Sequence, residues 1–320
     1  MTSADSLKQK LRGISLPFTT PFSTTGDVLF AYLNENLRLW CSSGVSGFVA
    51  LGSTGERVHL DEREYKLVIE NARAQISEEY AFIVGAGQQS SVGTINEITL
   101  ASRAGADAVL VITPHFYRSA ITQELLIDYY TAIADASEVP VLLYSMPALT
   151  GIKIEPETIA RLSEHPNIIG VKDSSNDVAG FRKTVELCRS DFAVITGNGT
   201  VLLDALKAGA TGAILAVGCA VPEVCLEVFR LFKTGELERA ELLQAKLTPF
   251  AAAVTTRFGI GGLKAAMDLA GYHGGTVRAP LQAPNESQRA ELASLFAALE
   301  PPEPDKVGSV FSLTDGAQPR

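Results

Sequence analysis

Short apolar runs rich in β-branched residues recur along the chain, at residues 13–18, 47–51, 82–85, 107–113, 139–144, 168–172, 192–196 and 212–217. Each is followed by a polar or glycine-containing turn and then by a stretch with helical periodicity. Successive runs start roughly 20 to 35 residues apart, the length a strand–helix unit requires. The runs are apolar on both alternating faces, which suits parallel strands covered by helices. Between them, stretches such as 63–75, 124–136, 156–163 and 178–188 repeat at three- and four-residue spacings, with Leu67, Val68, Asn71 and Ala72 as one example. Eight such units predict an α/β fold, a (β/α)8 TIM barrel over residues 13–222, preceded by an N-terminal tail of residues 1–12. A doubly wound sheet usually has fewer strands and a glycine-rich phosphate turn. The segment Gly85 to Ser90, GAGQQS, begins like that motif but lacks its last glycine, and reads as a tight turn.

After Pro222 the strand pattern stops. Residues 223–233, 236–254, 261–269 and 286–298 predict helices, too few and too strand-free for a second sheet domain. They predict a C-terminal helical extension, 223–300, packed against the barrel. Residues 301–320 are rich in proline and polar residues and predict a disordered tail.

Composition narrows the partners. With 46% hydrophobic and 20% charged residues, the chain has the profile of a globular protein with a large core. A net charge of −9 argues against nucleic acid and against an anionic membrane surface, both of which attract basic faces. No run is long enough to span a bilayer, and MTSADSLKQKLRG at the N-terminus lacks the apolar core of a signal peptide, so a cytoplasmic protein is expected. Cys41, Cys188, Cys219 and Cys225 are scattered without a C-x-x-C pair, as reduced core cysteines are. His59, His115, His165 and His273 are equally dispersed, so neither a metal nor another cofactor is expected.

Active residues of such a barrel sit at the C-terminal ends of its strands. Those ends carry Gly52-Ser-Thr-Gly-Glu56, Thr113-Pro-His-Phe-Tyr117, Tyr144-Ser-Met-Pro147 and Gly170-Val-Lys-Asp-Ser174. Lys172 is the informative residue. Alternation points it into the barrel if Ile168 and Gly170 also point inward. A strand-end lysine most often snorkels to solvent. A desolvated one has a lowered pKa and keeps neutral amine to attack a carbonyl. Tyr144 ends the preceding strand, where a core tyrosine is the plain case. Beside an amine nucleophile its phenol can shuttle protons. Ser53 and Thr54 occupy a glycine-bracketed turn that serves either as an ordinary helix cap or as a carboxylate socket.

Together these segments resemble the dihydrodipicolinate synthase / N-acetylneuraminate lyase family of pyruvate-dependent Schiff-base aldolases. The likeness runs from Leu16 to Gln282. It includes Thr19, Pro21 and Phe22, the Gly52–Glu56 turn, Gly105-Ala-Asp107 with Thr113-Pro114, Tyr144 with Pro147 and Thr150-Gly151, and Gly170-Val-Lys-Asp173. The resemblance implies that Lys172 forms the imine and Tyr144 relays protons. Ser53 and Thr54, beside Gly52, would hold the substrate carboxylate and relay protons, while Gly197 and Ile214 would line the pyruvate pocket. It implies no cofactor, a small 2-oxo acid as substrate and a homotetramer built as a dimer of dimers.

Two positions depart from the lysine-pathway synthases. Where those carry a second tyrosine after strand four, this chain has Phe116, followed by Tyr117. Where they carry an arginine for the semialdehyde carboxylate, it has Leu149, which cannot make a bidentate contact. The chain is more similar to 4-hydroxy-2-oxoglutarate aldolases, through Tyr144-Ser-Met-Pro-Ala148, His165-Pro-Asn-Ile168, Ala253-Val-Thr-Thr-Arg-Phe-Gly-Ile260, Gly262-Leu-Lys264 and Arg278-Ala-Pro-Leu-Gln282. Those aldolases commonly have asparagine where Thr54 stands. The expectation is a lyase that cleaves a 4-hydroxy-2-oxo acid to pyruvate and an aldehyde, with Ser174 or Arg118 meeting the distal end and Phe116, Tyr117 and Leu149 forming the rim. The alternatives are a synthase or sugar-acid lyase of the same family, and a barrel that binds a 2-oxo acid without turning it over.

Overall fold

The computed structural model of the chain describes residues 3–299. The segment read as a disordered tail, 301–320, lies outside the described residues. Eight parallel strands close in sequence order into one barrel: β1 (Ile14–Pro17), β2 (Gly47–Ala50), β3 (Ala81–Ala86), β4 (Ala108–Ile112), β5 (Val141–Ser145), β6 (Ile168–Asp173), β7 (Ala193–Thr196) and β8 (Gly212–Ile214). β8 pairs back onto β1. This is the TIM barrel that the hydrophobic pattern predicts.

Strand alternation divides the apolar side chains into two cores. Phe48, Val84, Val109, Leu143 and Val194 pack outward with the surrounding helices. Val49, Ile83, Leu110, Leu142, Ile195 and Ile214 fill the barrel interior. Burial on both faces is why the strands read as continuous apolar runs. The covering helices bury one stripe each. In Glu62–Gln75 the stripe is Tyr65, Val68, Ile69 and Ala72, so it runs one residue past Leu67, which is 38% exposed. That helix starts on a capping box between Asp61 and Glu64.

Residues 3–12 differ from the expected tail. Ser3–Lys10 is a helix, and Leu7 and Leu11 join the interior core. The Leu11 carbonyl lies against Gly212 at the start of β8, so these leucines cover the N-terminal end of the barrel. Two apolar residues among polar ones sufficed, because an open barrel end exposes the interior to water.

β6 departs from simple alternation. Ile168 and Val171 both pack outward, while Ile169 faces the interior. The register against β5 shifts here, Val141 pairing with Ile168 and Leu142 with Gly170. The extra residue resets the phase, as a β-bulge does. Lys172 therefore points inward opposite Tyr144 although Ile168 points outward. The sequence condition fails at Ile168, and the bulge restores its consequence.

The eighth apolar run is strand only to Ile214, with a 3-10 turn at Ala216–Cys219. The helices Pro222–Thr234, Leu237–Ala252, Gly259–Leu269 and Glu286–Ala297 form the extension. They pack beside the turns that follow β7 and β8, next to the barrel mouth. The second of these helices ends in a π turn at Ala253–Arg257. All four cysteines are free, and burial pushes the Cys225 thiol up to about 12.

Candidate active site

Lys172 stands at the C-terminal end of β6 and is 4% exposed. Its Nζ lies 4.5 Å from the centroid of the Tyr144 ring, which belongs to the paired strand β5. Such a contact orients the amine across the phenol face. The Tyr144 hydroxyl in turn lies 2.9 Å from Ser53 Oγ. A primary amine, a phenol and an alcohol are thus contiguous at the barrel mouth, the order a proton relay to a nucleophile requires.

The strand end that carries the lysine is tied on both sides. The Ser174 N–H donates to the Ser145 carbonyl at 3.0 Å, and the Gly197 N–H to the Asp173 carbonyl at 2.6 Å. Asp173 is buried, which raises its carboxyl above the usual range, and it accepts the Ser175 N–H at 2.7 Å, which acts the other way. A Cβ on Gly197 would meet both the Lys172 stem and Ser174 Oγ. Lys172, Ser174 and Gly197 are therefore packed together. Ile214 lies in the same interior core as Tyr144.

The turn after β2 runs through Gly52 and a 3-10 segment, Ser53–Gly55. The N–H groups of Gly55 and Glu56 close it onto the Gly52 and Ser53 carbonyls. As at any helix start, the first N–H groups, those of Ser53 and Thr54, are not consumed by the turn itself. Leu51 and Glu56 flank it in the left-handed region, at φ 53° and 55°. Non-glycine residues there cost about 1 kcal/mol or more each and persist where the surroundings dictate them. One such constraint is Gly85 on β3, where a Cβ would fall 2.2 Å from the Leu51 carbonyl oxygen. The glycine that sequence reading assigned to a tight turn admits the neighbouring backbone instead. Thr54 is buried beside Ser53.

The rim residues are less tightly gathered. Phe116 and Tyr117, after β4, are 75% and 72% exposed and pack edge to face on each other. Leu149 is exposed on the short helix Pro147–Thr150. The Arg118 side chain lies across Gly151, which follows that helix.

Sequence reasoning missed the support behind the turn. Glu56 and Lys264 form an ion pair at 2.6 Å with side chains 1% and 2% exposed. Desolvation lowers the Lys264 pKa, and Glu56 opposes that shift. The available signal was one lysine among the apolar residues Leu263, Ala265, Ala266 and Met267 of the helix Gly259–Leu269. Among the described residues no cluster of histidine, cysteine or carboxylate side chains could hold a metal ion, and no helix is long and apolar enough to cross a membrane.

Residues 10–299 match the dihydrodipicolinate synthetase family. A relative from Emericella nidulans, "Probable 4-hydroxy-2-oxoglutarate aldolase, mitochondrial", is 32% identical over 290 residues, covering 89% of this chain and 94% of its own. A 4-hydroxy-tetrahydrodipicolinate synthase from Methanothrix thermoacetophila is 30% identical over 289 residues, covering 90% and 97%. Among solved structures, dihydrodipicolinate synthase DapA-2 from Bacillus anthracis superposes with a TM-score of 0.86 at 27% identity, over 89% of this chain and 97% of that one. The E. coli prophage protein YagE, solved in complex with pyruvate, gives 0.84 at 29%, over 90% and 98%.

Proposed function

This chain belongs to the dihydrodipicolinate synthetase family and is a lyase of that family, and from that premise we propose that it is a class I aldolase cleaving 4-hydroxy-2-oxoglutarate to pyruvate and glyoxylate. The observation that carries the reading is the buried Lys172 amine over the ring of Tyr144, whose hydroxyl meets Ser53. The amine attacks C2 of the substrate, and Tyr144 with Ser53 moves the protons that turn the carbinolamine into an iminium. The same phenol takes the proton of the 4-hydroxyl as the C3–C4 bond breaks. The electron pair flows into the iminium, giving an enamine and glyoxylate. Protonation at C3 and hydrolysis release pyruvate. Splitting one hard step into several lowers the barrier.

The turn with Gly52, Ser53 and Thr54 receives the C1 carboxylate through its leading N–H groups, Ser174 faces the reacting carbons beside Gly197, and Ile214 supplies an apolar wall. Arg118, held over Gly151, is the cation for the distal carboxylate of a dicarboxylic substrate. The exposed aromatic pair Phe116 and Tyr117 suits burial against a second copy of the chain, and we infer the homotetramer expected from the resemblance; light scattering at the elution peak checks it. Synthase activity, which several relatives carry in their names, is the second reading, and Leu149 weighs against it.

The test is imine trapping. Pyruvate with borohydride is expected to add a pyruvyl-derived mass to the peptide bearing Lys172, and Lys172→Ala to abolish adduct and turnover. A folded protein without an adduct, or with the adduct on Lys153, overturns the mechanism and leaves a barrel that only binds its ligand.

A further inference from the structure

Behind the Gly52–Glu56 turn lies a desolvated ion pair that the lysine chemistry does not use. Lys264 Nζ donates to Glu56 Oε1 at 2.6 Å, to the Thr20 carbonyl at 2.7 Å and to the Thr276 carbonyl at 2.6 Å. An ammonium has three N–H donors, and all three are used. The other carboxylate oxygen of Glu56 accepts the Arg278 N–H at 3.1 Å and lies 3.1 Å from His59 Nδ1. Thr20 Oγ1 reaches the same turn, donating to the Gly55 carbonyl at 2.7 Å. The turn is therefore gripped by the loop after β1, by the helix Gly259–Leu269 and by the segment 276–278.

Stability does not explain the choice of charges. A buried ion pair seldom outdoes an apolar pair of equal volume, because desolvation costs what attraction returns. What a fully bonded pair supplies is direction. Glu56 sits at φ 55°, and its own N–H bonds the Ser53 carbonyl at 3.2 Å. Fixing the Glu56 carboxylate fixes that peptide and, through it, Ser53.

We propose that Glu56 and Lys264 are positioning residues, through which the C-terminal helical extension holds Ser53 Oγ at hydrogen-bond distance from Tyr144. The proposal rests on the aldolase reading of Lys172, Tyr144 and Ser53.

The experiment uses the full chain and measures the single-turnover rate of pyruvate imine trapping, steady-state kcat and KM, and the thermal midpoint. The variants are Lys264→Met, Glu56→Gln and the uncharged Thr20→Val, with Asn36→Ala as control. Asn36 also holds the C-terminal segment, bonding the His273 backbone at 2.8 Å through both its amide atoms, but does not touch the turn. Trapping and kcat are expected to fall by about 10- to 100-fold in the two charge variants, the scale of a misplaced catalytic group. A smaller fall is expected in Thr20→Val, while Asn36→Ala lowers the midpoint and traps at the parental rate. A folded charge variant within about twofold of the parental rate, or an equal loss in Asn36→Ala, overturns the proposal. If neither charge variant folds, a parental rate in Thr20→Val does so. A parent chain that traps no pyruvate defeats the aldolase reading itself, so the two failures are told apart.

Discussion

A Cβ on Gly197 would lie 2.6 Å from Lys172 Cε and 2.0 Å from Ser174 Oγ, so the lysine stem occupies space that only a glycine leaves open. Gly197 follows β7, and its N–H is fixed on the Asp173 carbonyl, so the backbone cannot retreat without losing that bond. Gly197→Ala must therefore displace Lys172, Ser174 or both. Overpacking of this kind costs about 1–3 kcal/mol, while a shifted nucleophile costs about 100-fold in rate. We predict a folded variant with a midpoint lowered by a few degrees and kcat lowered by about two orders of magnitude. Calorimetry and steady-state assays check both, and parental kcat would show that the stem relocates freely.

The cleft beside the Gly52–Glu56 turn predicts insensitivity to lysine. It encloses about 660 Å3 and is lined by Arg57, Asp61, Tyr65, Gln88, Glu97 and His115 among others. The Arg57 guanidinium pairs with Glu97 at 2.6 Å and donates to the Gly87 carbonyl, while Glu97 also accepts the Gly87 N–H and the Gln88 amide. The Glu97 carboxylate in this cleft is already occupied, and the arginine repels an ammonium ligand. Millimolar lysine is expected to leave the rate unchanged and to give no heat in titration calorimetry. Saturable inhibition would refute this and favour the synthase reading.

The fold and the candidate site were legible in the sequence to different depths. Parallel strands buried on both faces announce themselves as unbroken apolar runs, so the eight-stranded barrel followed from pattern alone. That Lys172, Tyr144 and the Ser53 turn come together was legible because all three stand at the C-terminal ends of strands. What escaped depends on contacts distant in the chain. The bulge that turns Lys172 inward leaves Ile168 and Ile169 looking alike in sequence. Leu7 and Leu11 read as part of a polar tail until the barrel end they cover is known. The pairing of Glu56 with Lys264 spans 208 residues, and no local periodicity encodes it.

Glu64 predicts a pH-dependent share of stability. Its carboxylate takes a two-pronged contact from Arg278, which holds its pKa below the ordinary 4.5. A depressed folded-state pKa means the contact stabilises fully above the unfolded value and is lost as pH falls through the folded one. With the pair about a quarter exposed, its worth is about 1 kcal/mol. Glu64→Gln is expected to lower the thermal midpoint by a few degrees at pH 7, and the gap to the parent to shrink below the ordinary 4.5. Midpoints across pH 7 to 3.5, read by circular dichroism, decide the matter: a gap that stays constant or widens on acidification contradicts the assignment.

Substrate choice turns on the helix Pro147–Thr150. Leu149 is exposed there, where a semialdehyde carboxylate would call for a cation on the same helix. Condensation of pyruvate with aspartate semialdehyde then lacks a charge-assisted contact worth about 1.5–3 kcal/mol, or roughly ten- to hundredfold in kcat/KM. Cleavage of 4-hydroxy-2-oxoglutarate releases the smaller glyoxylate, and in the proposed reading its carboxylate is met by Arg118, which lies across Gly151. We predict that cleavage, followed as pyruvate release, exceeds condensation by at least about tenfold in kcat/KM. Leu149→Arg should raise condensation relative to cleavage, and Arg118→Ala should raise KM for cleavage with a smaller effect on condensation. Both rates measured on one preparation decide it. Faster condensation would remove the substrate assignment and leave the Lys172 chemistry standing.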